Sequence, residues 1–151
     1  MTPLDTDILA DLIHRKHGLL LQMRDLGRRQ LELIETNDLT QLLKLLASKQ
    51  KLLTALQDLE RHLDPFRSQD PETRVWRTAD DRDRCAQAAS QCELVRAEIV
   101  QGERMSETRL TFRRDEAASR LQGVHQASQI RHAYTERGEH ERRQLDLSSE
   151  G

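Results

Sequence analysis

Leucine sets the rhythm of the first 63 positions. Leu12, Leu19, Leu26 and Leu33 recur every seven residues, with Leu9, Ile13, Leu20, Met23 and Ile34 at flanking positions, the spacing of a helix whose apolar seam packs on a partner. Lys16 and Gln30 fall in that seam, so the packing is expected to be adjustable or wet at those levels. Asp5 or Thr6 is the expected N-cap, with Leu4 and Leu9 as a hydrophobic staple, and the helix is predicted to run to about Glu35. Thr36-Asn37-Asp38 joins turn chemistry to N-cap chemistry, because short Asn and Asp side chains accept hydrogen bonds from the free amides that open a helix. A second helix follows, with Leu39, Leu42, Leu46, Leu53, Leu56 and Leu63 spaced as one face and Leu45, Leu52 and Leu59 one step round. So short a turn makes the two helices antiparallel neighbours with their leucine faces together. Pro65 is expected to stop the second helix, since a proline steers its predecessor, here Asp64, away from helical angles.

Residues 64–79, with Pro65, Ser68 and Pro71, read as a loop that Phe66, Val75 and Trp76 pin to the hairpin. From residue 80 helix-compatible residues continue without proline to about Arg143, giving a predicted third helix over 80–143 and a frayed tail over 144–151. Gly102 and Gly123 are candidate hinges. The fold class is all-α: a leucine-rich antiparallel hairpin (1–63) plus one long C-terminal helix, an elongated, coiled-coil-like three-helix bundle. Cys85, Ala88, Ala89, Cys92, Val95 and Ile99 are expected to meet the hairpin. At about 1.5 Å per residue the first two helices cover less than half of the third, leaving its C-terminal part as a partner-binding segment. There Leu110, Ala117, Leu121 and Val124 cluster on one line at about 100° per residue, and Met105, Phe112, Ala127, Ile130 and Tyr134 on a second beside it. Together they span about half the circumference, wider than one neighbour needs. An exposed apolar strip of this kind marks an interface. Two other geometries stand beside that reading: a third helix folded back at a glycine, and a homodimer.

Composition narrows the class further. Hydrophobic residues are 36%, charged residues 33% and aromatics 3% of the 151 residues, enough for leucine seams but not for a thick core of large rings. The net charge is −2, and residues 80–143 hold twelve Arg against twelve Asp and Glu, a balance that argues against nucleic-acid binding. The N-terminus lacks a basic region followed by an apolar run and no stretch has the length of a membrane span, so a cytoplasmic location is expected. Cys85 and Cys92, seven apart on one helix, are too distant for a disulfide and are expected as small buried residues. His14 with His17, and His125 with His132, lack a convincing third ligand. Arg113-Arg114-Asp115-Glu116 reads as a solvated face of local ion pairs. With one loop, no Gly-rich phosphate loop and no nucleophile–base pair, the chain is expected to be no enzyme and to need no cofactor or metal.

Glu35-Thr36-Asn37-Asp38-Leu39, followed by Leu42-Leu43, Leu45-Leu46, Lys49-Gln50 and Leu52-Leu53, resembles the FlgN family of flagellar type III export chaperones over Leu19–Leu63, about a third of the chain. Ala133-Tyr134-Thr135-Glu136-Arg137-Gly138 is similar to the tyrosine and glycine that close the family's last helix. The resemblance implies a chaperone that holds the C-terminal helices of hook-associated proteins, keeps them from assembling early and delivers them to the export gate at the membrane. It implies cargo binding by Leu110, Phe112, Ala117, Leu121, Val124, Ala127 and Ile130, and docking of Tyr134 on the gate's cytoplasmic domain. Family members often carry paired Asn residues in the third helix, where this chain has Arg104, Ser106, Thr108 and Arg109. The competing reading is a structural coiled-coil protein that self-associates and has no export role.

Overall fold

A computed structural model describes residues 2–149, with side chains as far as Leu145. Three helices, α1 (Asp5–Glu35), α2 (Leu39–Arg67) and α3 (Ala79–Ser149), account for the described chain together with a 3₁₀ turn at Pro71–Thr73. The fold is all-α, as the periodicity predicts. The described residues fall into two units, one ending at Leu110 and one beginning at Thr111.

In the first unit α1 lies against α2, and the part of α3 up to Leu110 packs on both. Its apolar interior is three clusters in series. Leu9 and Leu12 meet Leu59, Leu63 and Cys85 at one end, with Phe66 and Trp76 against them. Leu20 meets Cys92 and Val95 in the middle, and Leu33 and Ile34 meet Leu42 and Leu45 at the other end. On α3 the contact line is Cys85, Ala88, Cys92, Val95 and Ile99, with Ala89 half-buried beside it, as expected from the sequence.

The lines of closest packing on α1 and α2 differ from the predicted seams. On α1 Leu12 and Leu33 are buried, but Leu19 and Leu26 are only half-buried while Leu20, Met23 and Ile34 go deeper. A helix with two neighbours buries a sector between two seams, so its centre shifts away from either line taken alone. On α2 the inward line is Leu42, Leu45, Leu52, Leu56, Leu59 and Leu63, and the predicted seam residues Leu39, Leu46 and Leu53 are exposed. Lys49 occupies the place in this line between Leu45 and Leu52.

The polar residues in the seams are satisfied across helices. Lys16 pairs with Glu60 at 2.8 Å. Gln30, buried, accepts a hydrogen bond at 3.0 Å from Lys49, whose ammonium also meets Glu103. Arg109 clasps the Glu35 carboxylate through Nε and Nη2, the latter at 2.6 Å.

The ends follow local chemistry, with corrections to the predicted caps and boundaries. Leu4, rather than Asp5 or Thr6, is the N-cap of α1, and Asp7 supplies the cap by accepting the Leu4 amide at 2.9 Å. Thr6 is buried and donates to the Val75 carbonyl at 2.7 Å. Between α1 and α2, Asn37 takes a left-handed conformation with φ 57°, which asparagine tolerates better than most residues, and Asp38 caps α2 by accepting the Gln41 amide. α2 passes through Pro65 to Arg67 instead of stopping at residue 63. A proline costs most in a helix interior; here it sits in the last turn. Phe66 packs on the first cluster, Arg67 pairs with Asp64 at 2.6 Å and with Glu60, and Arg74 donates to the Phe66 carbonyl at 2.7 Å. The loop of 64–79 shrinks accordingly. Phe66 and Trp76 pin it, whereas the Val75 side chain is exposed and only its carbonyl is held.

Thr78 opens α3 by accepting the Asp81 amide at 3.0 Å, and Asp80 and Asp81 lie in the first turn, where negative charge suits the helix dipole. α3 continues to Ser149 instead of ending near Arg143, with no break at Gly102 or Gly123. No proline or glycine lies between Gly138 and Ser149 to stop it. The rest of the predicted tail, Glu150 and Gly151, lies outside the described residues. A Cβ at Gly102 or Gly123 would meet nothing within 4 Å, so neither glycine serves close packing. Gly102→Ala should therefore raise the unfolding free energy by about 0.5–1 kcal/mol, read from urea denaturation. A lower stability would show that residue 102 needs bare backbone.

Candidate functional site: the apolar rows of the last helix

Every residue of α3 named from the sequence as a contact for cargo or gate is exposed or half-buried. Leu110 closes the first unit and is 49% exposed. In the second unit Leu121 and Tyr134 are each 71% exposed and Val124 is 65%. Phe112, Ala117 and Ile130 are also exposed, and Ala127 is half-buried.

Because the helix is regular from Thr111 to Ser149, side chains sit where about 100° per residue puts them. Ala117, Leu121 and Val124 form one row, and Phe112, Ala127, Ile130 and Tyr134 a second. The rows do not merge into a continuous apolar sector. Arg113 and Arg120 fall between them on the same wheel and Glu116 on the second row, and they are tied together: Glu116 pairs with Arg113 at 3.9 Å and with Arg120 at 2.5 Å. Arg113 to Glu116 do not form the one solvated face expected of them. Projected on the helix, Arg113 lies on the mid-line of the strip and Glu116 beside it on the second row, while Arg114 and Asp115 pair with each other at 3.4 Å away from it. The site is thus two apolar rows divided by an ion-paired ladder, a surface that offers grease and fixed charge together. Further along, His132 and Glu136 lie 2.9 Å apart, again a pair within one helix.

Away from these rows the chemistry is sparse. Among the described residues no group of three or more His, Cys, Asp or Glu is arranged to hold a metal ion, and no helix is long and apolar enough to cross a membrane. A cleft of about 250 Å³ in the first unit is bordered by Leu9, Ile13, Phe66, Lys16, Arg74 and Cys92. Its thiol is poorly suited to attack. Burial pushes the Cys92 pKa up, as it does that of Cys85, which keeps both sulfurs protonated and weakly nucleophilic. Cys92 donates instead to the Ile13 carbonyl at 3.8 Å. Comparison with known family models, characterised proteins and solved structures finds no match.

Proposed function

We propose that this chain is a protein-binding helical protein that carries other proteins as a flagellar export chaperone, holding hook-associated proteins until the export gate accepts them. The observation that carries the proposal is the pair of apolar rows on Thr111–Ser149, whose Leu121, Val124, Ile130 and Tyr134 are all more than half exposed. Large side chains left in water at helical spacing suit a partner helix laid along them. The likeness of Leu19–Leu63 to the FlgN family gives that partner a class: the C-terminal helix of a hook-associated protein. In this reading Leu110, Phe112, Ala117, Leu121, Val124, Ala127 and Ile130 grip cargo. Tyr134 docks on the cytoplasmic domain of the gate.

A second reading has its own support, because the intervals from Leu110 to Ala117, Leu121 and Val124 are those of a coiled-coil seam, which would equally accept a second copy of the chain. One series of measurements separates the two. The Leu121→Glu plus Val124→Glu variant should keep its helical circular dichroism and bind hook-associated protein at least about tenfold more weakly than the parent chain, and Tyr134→Ala should bind cargo normally but fail to support motility. Unchanged cargo binding by the double variant would remove the assignment. A parent chain that sediments as a dimer and becomes a monomer on the same substitutions would favour self-association.

A further inference from the structure

One cation of the first unit lacks a counter-charge. Among the described residues six Lys and Arg are half-buried: Lys16, Arg24, Lys49, Arg74, Arg109 and Arg113. Five of them stand within ion-pair distance of a carboxylate, Lys16 of Glu60, Arg24 of Glu98, Lys49 of Glu103, Arg109 of Glu35 and Arg113 of Glu116. Arg74 is the exception. Its side chain donates through Nη2 to the neutral Phe66 carbonyl at 2.7 Å, and its Nε is buried without an acceptor. The charge is turned toward the interior, where it acts on the Cys85 thiol against the larger effect of burial. A charge withdrawn from water is costly to leave without a counter-ion. Arg74 borders the cleft of about 250 Å³, whose walls are the apolar side chains of Leu9, Ile13, Leu63, Phe66 and Ala89 with Cys92. The charges on that border are Lys16, Arg67 and Arg74 against Glu93 alone. Glu93 is engaged by Arg96 at 3.6 Å, and Lys16 and Arg67 share Glu60.

We infer that this cleft is a binding site for a small amphiphilic carboxylate, a free alkanoic acid whose carboxylate pairs with Arg74 and whose chain lies among Leu9, Ile13, Leu63 and Phe66. The carboxylate supplies the counter-charge that the chain itself leaves out, and a guanidinium fork matches its two oxygens. The apolar walls take the hydrocarbon part, which leaves water on binding. Size sets the length: the cleft has room for about eight groups of water size, at about 30 Å³ each, which suits an acid of about six carbons. A neutral molecule of the same size leaves Arg74 as it was, and a cation adds a fourth positive group to the border. A carboxylate on a short stem, such as acetate, leaves the walls in water. The site shares no residue with the rows assigned to cargo and does not rest on that assignment.

Trp76, the chain's one tryptophan, packs against the cluster of Leu9 and Leu63 and reports occupancy through its emission. Titrated into the full chain at neutral pH and constant ionic strength, hexanoate should shift that emission saturably. It should bind at least about tenfold more tightly than acetate, 1-hexanol or hexylamine. Arg74→Gln should bring hexanoate down to the level of 1-hexanol, Arg74→Lys should keep the preference for the anion, and Ala89→Leu, which fills the cleft and leaves Arg74 in place, should abolish binding. Each variant should retain its helical circular dichroism, and Leu121→Glu plus Val124→Glu should bind hexanoate as the parent does. Equal binding of hexanoate and 1-hexanol overturns the proposal, since it describes a greasy cleft without selection by charge. So does an unaltered preference in Arg74→Gln, parental binding by Ala89→Leu, or the absence of a saturable response to hexanoate in the parent.

Discussion

Leu20→Ala should lower the unfolding free energy of the first unit by about 2–5 kcal/mol, visible as a fall in the urea midpoint of helical circular dichroism with little change in slope. Leu20 is 3% exposed and sits in the cluster where α1 meets Cys92 and Val95 of α3, with Leu56 of α2 packed against them. Truncation there removes the side chain that all three helices share. The cavity opens in the middle of the unit, where neighbours on every side are held in register by the clusters at both ends and cannot close in. Leu43→Ala is the matched control: the side chain is as large, but it is 68% exposed, and the change should stay within about 0.5 kcal/mol. Equal losses at the two positions would contradict the inward and outward faces described for the hairpin.

The second large effect is one of sign. Lys49→Leu would extend the inward leucine line of α2, yet it should destabilise the unit by about 1–3 kcal/mol, because it strands the buried amide oxygen of Gln30 without its donor. Gln30→Leu combined with Lys49→Leu should recover that loss and end neutral or more stable than the parent, since a buried polar pair replaced on both sides no longer has a desolvated group to satisfy. Glu103, whose side chain is 42% exposed, can turn to water once the ammonium is gone. A double-mutant cycle in urea measures the coupling directly. Additive losses would mean that Gln30 and Lys49 act independently. On that outcome the pair serves to fix level and not to add stability: a polar contact inside a leucine seam penalises any slip of one helix against another, which an unbroken leucine zipper tolerates.

The number, order and approximate limits of the helices were legible in the sequence because leucine repeats, a two-faced turn at Asn37-Asp38 and proline spacing are local signals. What periodicity could not decide was which of two adjacent lines faces in. Leu39 and Leu42 start equally good stripes on α2, and only the presence of two neighbouring helices selects the line of Leu42, Leu45 and Leu52 and leaves Leu39, Leu43 and Leu46 outside. Lys16 and Gln30 were visible as polar residues in an apolar seam, but their partners Glu60 and Lys49 come from a different helix and carry no mark in the sequence. Pro65 misled because its usual cost is set by position: near a helix end, with Phe66 packed and its carbonyl taken by Arg74, the stop signal is overridden. On the last helix the apolar positions of the strip were legible from spacing alone. The charged mid-line was not, because Arg113, Glu116 and Arg120 read as ordinary surface residues until they are projected on the same face as Leu121 and Ile130.

One pole of the first unit is closed by covalent chain at residues 36–38. At the opposite pole the start of α1 and the approach to α3, about seventy positions apart in sequence, are tied by hydrogen bonds: Thr6 to the Val75 carbonyl, Arg77 to Asp7 through both carboxylate oxygens and Arg77 to the Thr2 carbonyl at 3.0 Å. The guanidinium, by its hydrogen bond and then its charge, together with the Leu4 amide, holds the Asp7 carboxyl below the usual carboxylate range. The knot is therefore tied above that carboxyl's ordinary titration and loosens as acid protonates it. The first few residues of the chain consequently behave as a latch on a distant joint, so trimming or tagging this end disturbs the entry into the last helix together with the cap of the helix to which those residues belong.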